Sequence, residues 1–143
     1  MDENSRGKIM YEDRARQLIN FSGININTIT PTDIDGLLTD FDGMIEYHNK
    51  FYIWLEIKLK GTELHKGQML ALERLCDDLQ RSGKQTLVIV SDHEEYDVLK
   101  QIDAANTIVR QYRSNYKWLR PENIITTIKV INQFLKQYDN KVI

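Results

Sequence analysis

Cysteine is nearly absent from this chain of 143 residues, since Cys76 is its only one. A single cysteine excludes an internal disulfide and a cysteine-rich zinc site, and it is typical of a reducing compartment. Long apolar runs are absent too, because no stretch approaches the roughly 18 residues that a membrane span needs. The first residues, MDENSRGK, are polar and unlike a signal peptide. We therefore expect a soluble, cytoplasmic protein with no membrane partner.

Proline and glycine are also scarce, at two and seven residues, and we find no linker, internal repeat or low-complexity tract. A chain of this length fits one domain, so we predict a single domain over residues 1–143, with residues 1–8 flexible. Nineteen basic against 21 acidic residues give a net charge of -2. That balance excludes a globally basic nucleic-acid coat but leaves room for a local basic patch.

Hydrophobic periodicity and turn residues predict a helix, an antiparallel three-stranded meander, and then alternating helices and strands. A helix followed by a buried strand is typical of a βαβ crossover. The predicted order is α-β-β-β-α-β-α-β-α, a central mixed β-sheet flanked by helices, in the α/β or α+β class. The predicted helices are residues 9–22, 64–82, 94–102 and 121–138, and the predicted strands are 34–39, 44–47, 51–59, 85–91 and 106–112.

The segment FYIWLEIKL, residues 51–59, is nearly continuous in apolar character, which predicts a central strand covered on both faces. Because strand side chains alternate, Glu56 and Lys58 point to one face, beside Trp54. Two charges on so apolar a strand need an explanation, since burying an unpaired charge is costly. A salt bridge, an exposed strand face and a functional site all fit this motif.

Two acidic residues, Asp33 and Asp35, lie upstream at the start of the first meander strand. A meander can bring carboxylates of its first and third strands together. Two carboxylates with a lysine suit a divalent-metal hydrolase, because hard oxygen ligands hold Mg²⁺ and the metal activates water and polarises a phosphate. By itself, a D-x-D motif is more often a turn than a site.

Two further side chains fit such a site. Gln68 shares one helical face with Leu72, Leu75 and Leu79, which makes it a polar residue on the stripe that faces the sheet. It is either a capping or core-edge amide, or a residue that orders water, the lysine or substrate. Glu12 falls on the apolar side of the first helix and either reaches inward as another carboxylate or pairs with a neighbouring arginine at the surface.

The predicted order of elements resembles that of the PD-(D/E)XK nuclease superfamily: a helix, a meander, a second helix and a strand. The motif residues also follow in the order of that superfamily, namely Asp35, then Glu56-Ile57-Lys58, then Gly67-Gln68. More narrowly, TPTDIDG, EIKLKG and GQMLALERL resemble small phage- and prophage-encoded nuclease-like proteins of that superfamily, over roughly residues 9–91. The resemblance implies a restriction-endonuclease-like core. It also implies residence in the host cytoplasm if the protein is phage-encoded.

By this resemblance Asp35 and Glu56 are metal ligands, Lys58 is the catalytic lysine, Gln68 is an accessory residue and Glu12 is the first-helix acid. The metal implied is Mg²⁺, for which Mn²⁺ substitutes. The sequence departs from the usual Pro-Asp step, because Thr32 follows Pro31. Asp33 and Asp35 therefore compete for one ligand position, and Asp35 is preferred because it directly precedes Gly36.

Another motif reading starts from the same aspartates. Asp33 to Gly36, with LVIVSD at 87–92, resembles two motifs of haloacid-dehalogenase-type phosphatases, in which the first aspartate is a nucleophile. That motif should follow a buried strand, whereas INTITPT precedes Asp33. Leu37 also stands where a threonine is expected, so the nuclease resemblance is the better match.

Residues 104–121 contain no acid but four basic residues, with three aromatic residues between them. Basic groups that meet phosphates and aromatic rings that stack on bases are the ingredients of nucleic-acid binding. An ordinary solvated face is the other interpretation. The candidate DNA-binding residues are Arg110, Arg113, Lys117, Arg120, Tyr112, Tyr116 and Trp118.

Together these features predict a Mg²⁺-dependent deoxyribonuclease that hydrolyses phosphodiester bonds with a metal-activated water. Its partner would be DNA, and a homodimer would let it engage two strands. The alternative is a catalytically silent module of the nuclease fold that binds DNA or a protein.

Overall fold

The computed structural model describes residues 41–142, with side chains up to residue 137. The predicted helix 9–22 and strand 34–39 lie outside these residues. Within them, no helix is long and apolar enough to cross a membrane. The elements in chain order are β1 (Gly43–Tyr47), β2 (Phe51–Leu59), α1 (Lys66–Arg81), β3 (Gln85–His93), a 3-10 helix (Ala104–Asn106), β4 (Ile108–Ser114), β5 (Lys117–Leu119) and α2 (Thr127–Val142).

The five described strands form one mixed sheet in the order β1-β2-β3-β4-β5. Strands β2 and β3 are parallel, whereas the other neighbouring pairs are antiparallel. Helix α1 connects the two parallel strands, as predicted for residues 51–91. The fold is α+β, and the prediction of a mixed sheet flanked by helices is confirmed for the described residues.

Different helices cover the two faces of the sheet, because side chains at alternating strand positions point to opposite faces. One buried cluster joins the sheet to α2 and contains Phe51, Ile53, Leu87, Ile89, Val109, Val130, Ile131 and Phe134. The other joins the sheet to α1 and contains Trp54, Met69, Leu72, Cys76, Val88 and Val90. The prediction that residues 51–59 form a strand covered on both faces is confirmed.

Helix α1 lies close to the predicted span and ends before Gly83, whose φ of +92° suits a glycine after a helix C-terminus. Its buried side chains include Gln68, Leu72 and Cys76. The contact face is therefore centred near Leu72 and Cys76. Leu75, which we predicted on this stripe, lies at its edge and is 42% exposed.

The predicted helix at residues 94–102 is wrong. Acidic side chains there accept hydrogen bonds from nearby backbone N–H groups: Glu95 accepts from Asp97 at 3.0 Å, and Asp97 accepts from Leu99 at 3.0 Å. Such local bonds offer the backbone an alternative to helical hydrogen bonds. The segment instead passes through a turn to the short 3-10 helix at Ala104–Asn106.

The last helix begins at Thr127 rather than at the predicted Pro121. The chain before it lies extended against the start of β4. The backbone N–H of Val109 donates to the carbonyl of Ile125 at 2.9 Å, and that of Thr127 donates to the carbonyl of Thr107 at 2.9 Å. These pairings use backbone groups that an earlier helical turn would need.

Strand β4 begins two residues later than predicted and is followed by β5, which we did not predict. The turn between them has φ of 51° at Asn115 and 68° at Tyr116. Positive φ at both central positions is typical of a two-residue hairpin turn, for which Asn-Gly is the usual signal. Tyrosine in place of glycine hides this hairpin from sequence reasoning.

Replacing Leu87 by alanine should lower the free energy of unfolding by about 2–5 kcal/mol, because the cavity would lie inside the core. Leu87 is 1% exposed and packs between the sheet and α2. Leu99→Ala is the matched control, since Leu99 is 91% exposed. Its effect should stay within about 0.5 kcal/mol. Urea denaturation measures both, and equal effects would contradict this core.

Candidate functional site

Glu56 and Lys58 form an ion pair at the carboxyl-terminal half of β2, on the face that α1 covers. Lys58 Nζ lies 2.8 Å from Glu56 Oε1, and the two side chains are 15% and 5% exposed. The prediction that they share a face with Trp54 is confirmed, because Trp54 belongs to the core cluster under α1. This pairing also fits the interpretation as a salt bridge. The residues around the pair are therefore needed to distinguish a structural from a functional role.

Gln68 lies in the first turn of α1 and is buried at 7% exposed. Lys58 Nζ donates a hydrogen bond to its Oε1 at 3.4 Å. The predicted sheet-facing position of Gln68 is therefore confirmed. The amide holds the lysine from the helix while Glu56 holds it from the strand, which fixes the ammonium group in one place.

Asp42 is an acidic residue at this site that we did not predict. Gly43 pairs with Leu55 in the antiparallel register of β1 and β2, which puts Asp42 beside Glu56. The Ile57 N–H donates to Asp42 Oδ2 at 2.7 Å, and the Asp42 N–H donates to the Leu55 carbonyl at 3.2 Å. The sequence signal that could have identified Asp42 is its position one residue before β1, the strand that pairs with β2 and its Glu56-Ile57-Lys58 motif.

Burial raises the pKa of Glu56 above its ordinary value of 4.5. The hydrogen bond and positive charge of Lys58 and a hydrogen bond from Gln68 lower this pKa in part, whereas the nearby negative charge of Asp42 raises it further. The second carboxylate oxygen of Glu56, Oε2, is buried without a hydrogen-bond partner among the described residues. A buried acceptor without a partner is costly, which makes this oxygen a candidate ligand for a cation. Trp54 Nε1 and Arg113 Nε are also buried without a partner among the described residues, but both are N–H donors and do not suit a cation.

A divalent cation suits these residues, because Glu56 has a carboxylate oxygen without a hydrogen-bond partner in the described structure and the negative charge of Asp42 acts on the same group. Within residues 41–142 no group of three or more His, Cys, Asp or Glu side chains could hold a metal. Two carboxylates still match Mg²⁺, which is usually bound through one or two carboxylates together with waters and substrate phosphates. The predicted acids Glu12, Asp33 and Asp35 lie outside the described residues.

A second ion pair occupies the same face at the same end of the sheet. Asp92, on β3, is the register partner of Lys58. Its carboxylate accepts hydrogen bonds from the guanidinium of Arg110, one of the predicted DNA-binding residues. We did not predict this pairing of Asp92, because only the sheet register brings the two residues together.

The other predicted DNA-binding residues do not converge on this site. Arg113 is 8% exposed and pairs with Asp77 of α1 at 2.7 Å, so it is not available to a phosphate in this conformation. Trp118 donates from Nε1 to Glu73 of α1 at 2.6 Å, which fastens the β4–β5 hairpin to the helix. Tyr112 packs half-buried against the core under α2.

The exposed members of that group are Tyr116, Lys117 and Arg120. Lys117 pairs with Ser114, which in turn pairs with Leu87 near the amino end of β3. The hairpin turn therefore lies toward the end of the sheet opposite Glu56 and Lys58. In the described structure, Arg110 is the predicted DNA-binding residue that lies beside the carboxylate–lysine site.

No protein-family model, curated protein or solved structure matches this chain. The resemblance to the PD-(D/E)XK superfamily therefore rests on motif order and residue spacing, and a restriction-endonuclease-like core is not confirmed by any structural neighbour.

Replacing Glu56 by glutamine should change how stability depends on pH in the metal-free protein. Because the pKa of Glu56 is raised above 4.5, its contribution to stability is complete below pH 4.5 and is lost as pH rises through the raised pKa. Glutamine does not ionise, so the variant should gain stability relative to wild type as pH increases over that window. Urea unfolding across pH measures the difference, and a difference independent of pH would contradict the burial of a titrating Glu56.

Proposed function

We propose that this protein is a Mg²⁺-dependent nuclease that hydrolyses phosphodiester bonds of DNA. The observation that supports it most is the buried Oε2 of Glu56, which has no hydrogen-bond partner among the described residues. The same side chain pairs with Lys58 through Oε1 and is exposed to the negative charge of Asp42. Negative oxygens beside a fixed cationic group suit a site that binds a metal ion together with a phosphate.

Asp42 and Glu56 would hold the metal. When bound, Mg²⁺ supplies a Lewis acid that polarises a phosphate oxygen and lowers the pKa of a coordinated water. Lys58 would place its positive charge where negative charge develops on the phosphate, since Glu56 and Gln68 fix the ammonium before substrate arrives. Asp33, Asp35 and Glu12 remain predicted ligands, because they lie outside the described residues.

Fixing Lys58 in advance matters because an oriented donor in a buried site needs no reorganisation as the reaction proceeds. The lysine is 15% exposed, so solvent screens its charge only in part. Gln68 would act through Lys58 as a positioning residue. This arrangement favours an enzyme over a silent DNA-binding module, for which a buried carboxylate without a partner would bring only a loss of stability.

Wild-type protein should cleave plasmid DNA in Mg²⁺ or Mn²⁺ and not in EDTA. Lys58→Met and Glu56→Gln should each reduce the rate on the order of 10²-fold or more, because each removes a group that acts on the transition state. Asp42→Asn should do the same, and Asp35→Asn and Asp33→Asn show whether a further acid takes part. Lys50→Met and Asp78→Asn are matched controls at exposed positions away from the site, and both should retain wild-type rates.

The same variants should separate metal binding from catalysis. Saturating Mg²⁺ at 100 times its Kd should stabilise the wild type by about 2.7 kcal/mol, whereas Glu56→Gln should show almost no stabilisation. Equal cleavage by wild type, Glu56→Gln and Lys58→Met would contradict the assignment. Binding of DNA without any Mg²⁺-dependent cleavage or stabilisation would instead support the silent module.

A further inference from the structure

Arg110 makes four hydrogen bonds although its side chain is 21% exposed. Its Nε donates to both carboxylate oxygens of Asp92, at 3.0 and 3.2 Å, and its Nη2 donates to Asp92 Oδ1. Its Nη1 donates to the carbonyl oxygen of Thr62 at 2.7 Å, in the loop between β2 and α1. Asp92 and Thr62 thus orient the guanidinium from two separate elements.

The backbone also makes a local adjustment at Arg110. Val90 pairs with Gln111, but the next residue of β3, Ser91, pairs with Val109. Strand β4 therefore has one extra residue at this point, Arg110, which is a β-bulge. Bulges redirect a side chain and occur often beside active sites. At this bulge the guanidinium of Arg110 is directed toward Asp92.

The arginine lies beside the candidate metal site. Asp92 pairs with Lys58, and Val90 pairs with Glu56, in the parallel register of β2 and β3. Val90 belongs to the cluster under α1, so alternation along β3 places Asp92 on the same face. The Arg110–Asp92 pair and the Lys58–Glu56 pair are therefore neighbours at the carboxyl ends of the two parallel strands.

We propose that Arg110 binds a second phosphate of a polynucleotide beside the phosphate at Lys58, and that Asp92 is the positioning residue that holds Arg110 for this contact. The proposal rests on the nuclease function above and adds a residue to it. Arginine has five N–H donors, and the bonds described leave N–H groups on Nη1 and Nη2 for a phosphate. A guanidinium that is already oriented loses less conformational freedom on binding.

A purely structural ion pair makes a different prediction, because it would affect stability and not the dependence of DNA binding on salt. Net charge alone also predicts the opposite change in DNA affinity for Asp92→Asn. Removing the negative charge of Asp92 should strengthen binding to a polyanion if charge is all that matters. If Asp92 positions Arg110, its replacement by asparagine should weaken binding instead.

The test is the affinity for a fluorescein-labelled duplex oligonucleotide, measured by anisotropy over a series of salt concentrations in Ca²⁺. Arg110→Gln should weaken binding roughly tenfold, through loss of a charge-assisted hydrogen bond. The slope of log K against log salt should also become shallower by about 0.9, the value for one phosphate contact on a duplex. Asp92→Asn should weaken binding although it makes the protein less negative.

Arg81→Gln and Asp78→Asn are matched controls, because Arg81 and Asp78 form an exposed ion pair on α1, with side chains 65% and 77% exposed. They should bind like wild type or, for Asp78→Asn, slightly more tightly. Arg110→Lys covers the case in which Asp92→Asn unfolds. Arg110→Lys keeps the positive charge but loses the planar guanidinium with its paired N–H donors. Its affinity for DNA should therefore fall, while the slope of log K against log salt stays close to that of wild type.

Two results would overturn the proposal: Arg110→Gln and Arg81→Gln with the same affinity and slope, or folded Asp92→Asn binding as tightly as wild type. Because this experiment measures DNA binding and not cleavage, its outcome distinguishes a failure of this inference from a failure of the proposed function. Wild-type cleavage without dependence of binding on Arg110 refutes only this inference. Binding that depends on Arg110, without Mg²⁺-dependent cleavage, supports the phosphate site and refutes the nuclease.

Discussion

The candidate site depends on the parallel pairing of β2 with β3, in register from Phe51 with Gln85 to Leu59 with His93. The first part of this pairing is apolar and buried on both faces, which fixes the register because a slip of one residue would move every side chain to the other face. The polar residues follow at the carboxyl ends. There the register sets Glu56 beside Val90 and Lys58 beside Asp92. Ligands often bind at this edge of parallel strands.

The electrostatics of Glu56 are unfavourable for the folded protein alone. Burial and the charge of Asp42 both raise its pKa, and the contacts of Lys58 and Gln68 with this carboxylate offset the rise only in part. The well-packed clusters on both faces keep the carboxylate in this environment. Local arrangements that reduce stability are typical of functional sites. A cation between Asp42 and Glu56 would neutralise charge there and give Oε2 a partner.

Strong local signals predicted much of the fold. The apolar runs of β2 and β3 and the amphipathic α1 were placed almost correctly, and strand alternation put Glu56 and Lys58 on one face. Features that depend on distant partners were missed. Asp42 reaches the site only through the β1–β2 register, and Arg113 is buried because Asp77 lies opposite it. Side-chain bonds of Glu95 and Asp97 replaced a predicted helix. No local periodicity encodes such contacts.

The central claim is that Asp42 and Glu56 share a divalent cation, and a crystal structure of the protein with Mn²⁺ tests it most directly. Mn²⁺ can be located by its anomalous scattering independently of any assumed coordination. The account predicts an anomalous peak within coordination distance of Glu56 Oε2 and of the Asp42 carboxylate, with Lys58 still paired to Glu56 Oε1. The contradicting result is an ordered site in which Glu56 Oε2 is buried and no anomalous peak lies beside it, in crystals soaked at a saturating Mn²⁺ concentration.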